Sequence, residues 1–351
     1  MNKDQEIELK LALLDSSDLD KVTADFFLLS LAVTKWQEAQ LVSTYYDTKQ
    51  QSLMNHRMTF RIRSTDHRIE ATVKAGGNST GGLHERQEWN VPIEAAVADD
   101  KIFAATTVGE SLRAVVNGSV LLPLFTTNFI RKILLVKYEA SLIEVAVDQG
   151  QVIVEDLSAP ILEMELELKS GTPLDLIRLG AILAERFKLR LEQRSKYQRG
   201  LCLAGVAWKE KILRSDEPRY FLWAYLEKEA QFIQHPGNRT ASDLLIDFYD
   251  KLRLKVMKSA ASLHLSTDCL ELMDEWGLLF QPLREVDLLG TYYRRLVKTG
   301  EITSQYHGVL VKAYFRHRRQ LKVQLVTALR QGATTSWVLQ LWAGSLERQK
   351  K

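Results

Sequence analysis

Charged and apolar residues alternate in segment after segment of the first half of this chain, and that pattern limits what it can fold into. Glu6, Glu8 and Lys10 alternate with Ile7, Leu9 and Leu11. Successive strand residues point to opposite faces, so such a segment reads as a strand with one ionic and one apolar face. Arg61 and Arg63 alternate with Phe60 and Ile62, and Thr72 and Lys74 with Ala71, Val73 and Ala75. Arg86 and Glu88 stand against Trp89 and Val91, and Glu144 and Asp148 against Ile143, Val145 and Val147. Glu163, Glu165 and Glu167 alternate with Leu162, Met164, Leu166 and Leu168.

An open sheet wetted on one face explains any one of these segments. It explains the set less well. Three carboxylates in a row repel unless a cation sits among them, and here acids and bases gather on separate strands. A closed barrel with an ionic lumen accounts for both facts. Oxygen ligands suit a hard divalent cation, and Arg and Lys suit phosphate oxygens. Together they describe a site for a metal–polyphosphate complex.

The β pattern covers residues 5–170, in segments near 41–47, 58–63, 69–75, 86–93, 129–137, 142–148 and 161–169. Helices are expected around 16–33, with Ser16 or Ser17 as N-cap, and around 174–187 after Pro173. The stretch Gly76-Gly77-Asn78-Ser79-Thr80-Gly81-Gly82 reads as a flexible connection or a mobile lip. After about residue 205 the apolar period becomes helical. Helices are expected at 218–234, 242–264, 268–280, 285–298, 302–331 and 334–349, one stripe being Leu244, Leu245, Phe248, Leu252 and Val256. The fold class expected is therefore α+β: an eight-stranded antiparallel β-barrel tunnel over residues 1–205, then an all-α domain over 206–351. The 351-residue length suits two domains.

Charge divides at the same place. Residues 1–209 carry 25 Lys and Arg against 28 Asp and Glu, and residues 210–351 carry 22 against 16. With 46% hydrophobic residues the chain is not a disordered one. Its two cysteines, Cys202 and Cys269, exclude a disulfide scaffold and are expected to be ordinary buried thiols. No apolar run approaches the ~20 residues of a membrane span. The charged N-terminus lacks an apolar signal segment, so a cytoplasmic location is expected.

These residues resemble the CYTH superfamily, the triphosphate tunnel metalloenzymes. The resemblance rests on Glu6-x-Glu8-x-Lys10, Tyr45-Tyr46-Asp47-Thr48, Arg61-x-Arg63, Thr72-x-Lys74, Arg86-x-Glu88-x-Asn90 and Arg131. It continues through Glu144, Asp148-x-Gly150, the Glu163/Glu165/Glu167 ladder, Ser195-Lys196 and Arg199-Gly200, in the family's order over residues 5–201. Thr80-Gly81-Gly82-Leu83-His84 and the two-part layout look like the bacterial inorganic triphosphatase branch, in which a helical domain follows the tunnel. Two departures stand out. Ile133 replaces a second basic residue after Arg131, and the helical half resembles a CHAD domain without its His–Arg–Arg signature.

The resemblance implies a metal-dependent hydrolase acting on the terminal phosphate of inorganic triphosphate. Its cofactor would be Mg²⁺ or Mn²⁺, two ions per site, held by Glu6, Glu8, Asp148, Glu163, Glu165 and Glu167. Phosphate binding would fall to Lys10, Arg61, Arg63, Lys74, Arg131, Lys196 and Arg199. Of these groups, Glu6, Glu8, Lys10, Arg61, Arg63, Lys74 and Lys196 would be catalytic. Glu88 and Glu144 orient bases, tune metals or form structural pairs; Tyr46 is expected to pack, and His84 to face solvent. A class IV adenylate cyclase, a thiamine triphosphatase and a catalytically weak polyphosphate-binding module remain as alternatives. The partner expected is a small polyanion, with no membrane and no specific reading of nucleic-acid bases. Arg316, His317, Arg318, Arg319 and Lys322 form either a solvated basic helix face or a polyphosphate contact.

Overall fold

The computed structural model describes residues 5–65, 68–80, 83–192, 194–206, 218–234, 239–263, 267–300, 304–330 and 333–348. The chain divides into two compact units: residues 1–180 with 189–211, and residues 181–188 with 212–351.

The first unit is a closed barrel. Its strands are β1 (Gln5–Ala12), β2 (Gln37–Thr48), β3 (Met58–Ser64), β4 (Ile69–Thr80), β5 (Leu83–Ile93), β6 (Leu121–Tyr138), β7 (Ser141–Val154) and β8 (Leu157–Ser170). They run in the order β5-β4-β3-β2-β6-β7-β8-β1, and β1 pairs back onto β5. Every pairing is antiparallel. β1 closes the ring by dividing its length: Gln5–Leu9 pair with β5 and Glu8–Ala12 with β8. β1 thereby joins the two flanking strands of the sheet. A two-residue strand, β9 (Arg190–Leu191), adds to the end of β1.

The barrel is inverted relative to an ordinary core. Its apolar faces point outward and are covered by helices. Phe60, Ile62, Ala71, Val73 and Trp89 pack with Phe103 and with Leu112 and Val116 of a short helix. Tyr46 packs there too, edge-on to Phe60, as expected.

Helices α1 (Asp18–Thr23) and α2 (Phe26–Leu31) replace the single helix expected over 16–33. Asp25 breaks it: its backbone is extended and its side chain accepts from Leu28 N at 3.0 Å, an N-cap that starts a new helix. Ser17 occupies the α1 N-cap position without a side-chain bond. Helices α3 (Ser52–Asn55) and α4 (Gly109–Val116) were not expected, whereas α5 (Pro173–Phe187) was. The expected loop at 76–82 is largely strand. β4 runs to Thr80 with a bulge between Ala75 and Asn78. Gly77, at φ +89, leaves no room for a Cβ, which would lie 2.0 Å from Glu85 O. Gly81 and Gly82 lie outside the described residues.

Helix α6 (Lys196–Leu203) packs against β6, β7 and β8. Ser195 starts it with a capping box to Gln198. Tyr197 and Leu201 join Leu41, Tyr45, Phe125 and Phe129 in an apolar cluster.

Among the described residues the second unit holds six long helices, near the expected positions: α7 (Pro218–Gln234), α8 (Arg239–Leu263), α9 (Thr267–Leu278), α10 (Gln281–Lys298), α11 (Ser304–Leu329) and α12 (Ala333–Arg348). The expected boundary near 205–217 falls mostly on residues outside those described. Tyr225, Tyr249, Trp276 and Phe280 form an aromatic core. Leu245 and Leu252 are buried with Tyr249 between them, but Leu244 is exposed at the edge of the expected stripe. The basic cluster on α11 is not uniformly solvated: Arg318 and Lys322 are buried, while Arg316, His317 and Arg319 are exposed. Among the described residues, no helix is long and apolar enough to cross a membrane.

Candidate active site

Strand alternation brings the charged faces inward around a cavity of about 560 Å³. Its walls include Glu6, Glu8 and Lys10 of β1, Arg61 and Arg63 of β3, Lys74 of β4, Glu88 of β5, Arg131 of β6, Glu165 and Glu167 of β8, and Lys196 of α6. Ile133 also lines it, where the resemblance would place a base. Asp148, Glu163 and Arg199, also expected at the site, are not among the lining residues: Asp148 and Glu163 pair with the wall's Arg131 and Lys196, and Arg199 pairs with Glu163.

The floor is a dense ionic cluster. Lys196 Nζ donates to Asp148 Oδ2 at 2.6 Å, to Glu165 Oε1 at 3.0 Å and to Glu163. Arg131 grips Asp148 in a bidentate pair at 2.7 and 2.6 Å and also reaches Glu165. Arg199 pairs with Glu163, and Lys10 bridges Glu8, at 2.9 Å, to Glu165. Burial alone would raise all these carboxyls, but Lys10, Lys196 and Arg131 hold Glu165 well below the usual range. Arg131 and Lys196 likewise hold Asp148 down against its burial. For Glu163 burial prevails, and its carboxyl is raised. Oxygens of Asp148, Glu163 and Glu165 lie within 4.8 Å of one another, a grouping able to hold a metal ion.

A second layer joins β1, β3, β4 and β5. Lys74 Nζ pairs with Glu6 at 2.5 Å and with Glu88 at 2.8 Å, and Arg61 approaches Glu88 at 3.5 Å. Thr72 donates to Asn90 Oδ1 at 2.7 Å, and Asn90 Nδ2 donates to Glu88 at 3.1 Å, which orients that carboxylate. Burial and the neighbouring Glu8 push the Glu6 carboxyl up to about 8. Burial works on Glu8 in the same direction, yet Lys10 outweighs it and holds Glu8 down at about 2. Near Glu167, Lys169 bridges that residue at 2.8 Å and Glu144 at 3.3 Å. Glu144 is thus in a structural pair, one of the roles expected for it.

Arg63 is held differently. Its Nε donates to Ser43 Oγ at 3.0 Å. Burial, with Arg61 and Arg131 beside it, pushes its guanidinium down to about 9, so an incoming anion would relieve it. The Phe129 ring faces three cations, with Arg63 5.9 Å, Arg131 5.6 Å and Lys196 4.9 Å from its centroid. Ser43 and Phe129 escaped the sequence reading. Their signal is the strand register, which places Ser43 opposite Arg63 and Phe129 two residues before Arg131.

Two expectations are corrected. His84 does not face solvent. It is fully buried, because β5 begins at Leu83 and puts His84 on the same face as Arg86 and Glu88. Cys202 is exposed rather than buried, since α6 turns Tyr197 and Leu201 toward the barrel and Cys202 away from it. The Cys269 side chain lies outside the described residues.

A family model described as the CYTH domain matches residues 4–201. The inorganic triphosphatase of Haemophilus influenzae is 31% identical over 256 residues, covering 72% of this chain and 66% of that protein. The chain thus spans just under two thirds of that relative's length. Among solved structures, a Hippeastrum adenylyl cyclase homologue described as having a dominant triphosphatase activity shares 15% identity. It has a TM-score of 0.42, over 57% of this chain and 97% of its own. The mimivirus capping-enzyme triphosphatase shares 12% identity at a TM-score of 0.34, over 53% and 89%.

Proposed function

The chain belongs to the CYTH domain family, and from that premise we propose that it hydrolyses the terminal phosphate of inorganic triphosphate in its barrel lumen. The observation that carries this reading is the closed wall itself, in which carboxylates and cations from all eight barrel strands and α6 converge on one cavity. The named activity of the Haemophilus relative supports it.

The donor set fits a divalent cation. Glu6, Glu8, Glu165 and Glu167 present only oxygen to the cavity, as Mg²⁺ or Mn²⁺ requires. We assign these four as the principal ligands of two ions. Asp148 and Glu163 are further candidates, already opposed by Lys196, Arg131 and Arg199. When bound, such ions would neutralise phosphate oxygens and lower the pKa of an attacking water. Arg61, Arg63 and Lys74 bind phosphate on one side of the lumen, and Lys10, Arg131 and Lys196 on the other. Arg199 acts through Glu163. Because the cations are fixed by carboxylates and by Phe129, little reorganisation is needed as charge develops on the transferring group. Residues 1–205 form the tunnel domain in this reading and 206–351 the helical one. A polyphosphate contact on α11 gains no support, since Arg318 is neutralised by Asp287 and Asp243.

Glu6→Gln and Glu8→Gln test the reading, because a neutral amide binds a hard cation poorly. Turnover of triphosphate should nearly vanish while the folded far-UV spectrum is kept. Near-normal turnover in both variants at saturating Mg²⁺ would defeat it.

A further inference from the structure

His84 is a buried polar residue to which the mechanism above gives no work. It stands opposite Glu8 in the β1–β5 register, where facing side chains lie about 5 Å apart. Arg86 Nη2 is 3.2 Å from His84 Nδ1. A guanidinium only donates, so Nδ1 accepts and the ring proton resides on Nε2. That Nε2–H is buried and has no acceptor among the described residues. A ring that accepts at Nδ1 carries a single proton and is neutral, which its full burial also favours. A buried donor left unmade calls for an explanation.

Glu8 supplies one. Its Oε2 accepts from Lys10, which leaves Oε1 without that partner. We propose that His84 is a positioning residue for Glu8, donating its Nε2–H to that carboxylate once a divalent cation is held there. The inference rests on the reading of Glu8 as a metal ligand. A neutral donor is suited to the task. It fixes the rotation of the carboxylate as a second ammonium would, but adds no positive charge to oppose the cation. Outer partners of this kind commonly change metal affinity by about 10- to 100-fold.

The test uses the full-length chain and Mn²⁺ alone, with free Mn²⁺ read by its EPR signal. Leu and Gln have similar volumes, and only Gln keeps an N–H near the position of Nε2. His84→Leu is expected to bind Mn²⁺ about 10- to 100-fold more weakly, and His84→Gln to recover most of the loss. Glu8→Gln is the control and should lose the site. Mn²⁺ affinity in His84→Leu equal to wild type, with Glu8→Gln defective, would overturn the role of His84 and leave Glu8 as a ligand. Equal loss in His84→Leu and His84→Gln would likewise overturn it, by showing a shape requirement. Unchanged affinity in Glu8→Gln would overturn the metal reading instead. A ¹⁵N-histidine spectrum of the wild type needs no variant: the Nε2–H tautomer is expected with and without Mg²⁺, and an Nδ1–H tautomer would refute the proposal.

Discussion

Gly200 of α6 lies so close to Phe125 of β6 that a Cβ on it would stand 2.2 Å from the ring. The absence of a side chain is what lets the helix seat on the barrel floor, and the same helix carries Lys196 and Arg199 to their carboxylates. A methyl group must therefore shift either the helix or a buried ring. Gly200→Ala is expected to cost about 1–3 kcal/mol in urea denaturation and to raise the KM for triphosphate. Unchanged stability together with unchanged KM would show that this contact does not set the floor.

The acids of β1 make opposite contributions to stability. Glu6 has its carboxyl raised from 4.5 to about 8, so the native state keeps a proton that the unfolded chain has lost. The metal-free fold should then lose that contribution as pH rises from about 4.5 through about 8. Glu8, held at about 2, contributes stability above its unfolded value that is lost as pH falls toward 2. Denaturation midpoints measured in chelator across this range should fall less steeply with rising pH in Glu6→Gln than in wild type. Parallel curves would contradict the assigned shift.

The helical unit has its own buried cation. Arg318 makes a bidentate pair with Asp287 at 2.6 and 2.9 Å and also contacts Asp243 at 3.0 Å. Tyr314 donates to the same Asp287 at 2.8 Å. Asp287→Asn weakens the partner of a buried guanidinium, and because Asp287 is partly exposed the expected cost is about 1–3 kcal/mol. Chemical denaturation checks this, and Arg319→Ala, on the exposed side, should change little.

The barrel was legible in the sequence because its polarity is inverted. Glu163, Glu165 and Glu167 alternate with buried Met164, Leu166 and Leu168, so period and charge carry one message. Helical period likewise placed α7–α12. What stayed hidden depended on partners distant in sequence. Arg318 looks solvated on α11, yet its acceptors Asp287 and Asp243 lie 31 and 75 residues away. His84 follows a glycine-rich stretch that reads as loop, and only the pairing of β5 with β1 reveals its burial. Helix α6 is a short plug rather than a long amphipathic element, so its contacts with β6, β7 and β8 left no period to read. The break at Asp25 turned on one capping side chain.

The most direct measurement of the central claim is kcat/KM for inorganic triphosphate and for pyrophosphate, in wild type and in Arg61→Ala, at saturating Mg²⁺. A closed lumen fixes how many phosphates reach from the basic strands to the carboxylates, and remote binding helps position the reacting phosphorus. Triphosphate should be the better substrate. Arg61→Ala should lower its kcat/KM by about 10- to 150-fold, as expected for losing a charge-assisted contact, with a smaller loss for pyrophosphate. Equal losses for the two substrates, or pyrophosphate as the better substrate of the wild type, would contradict a length-selective triphosphate tunnel.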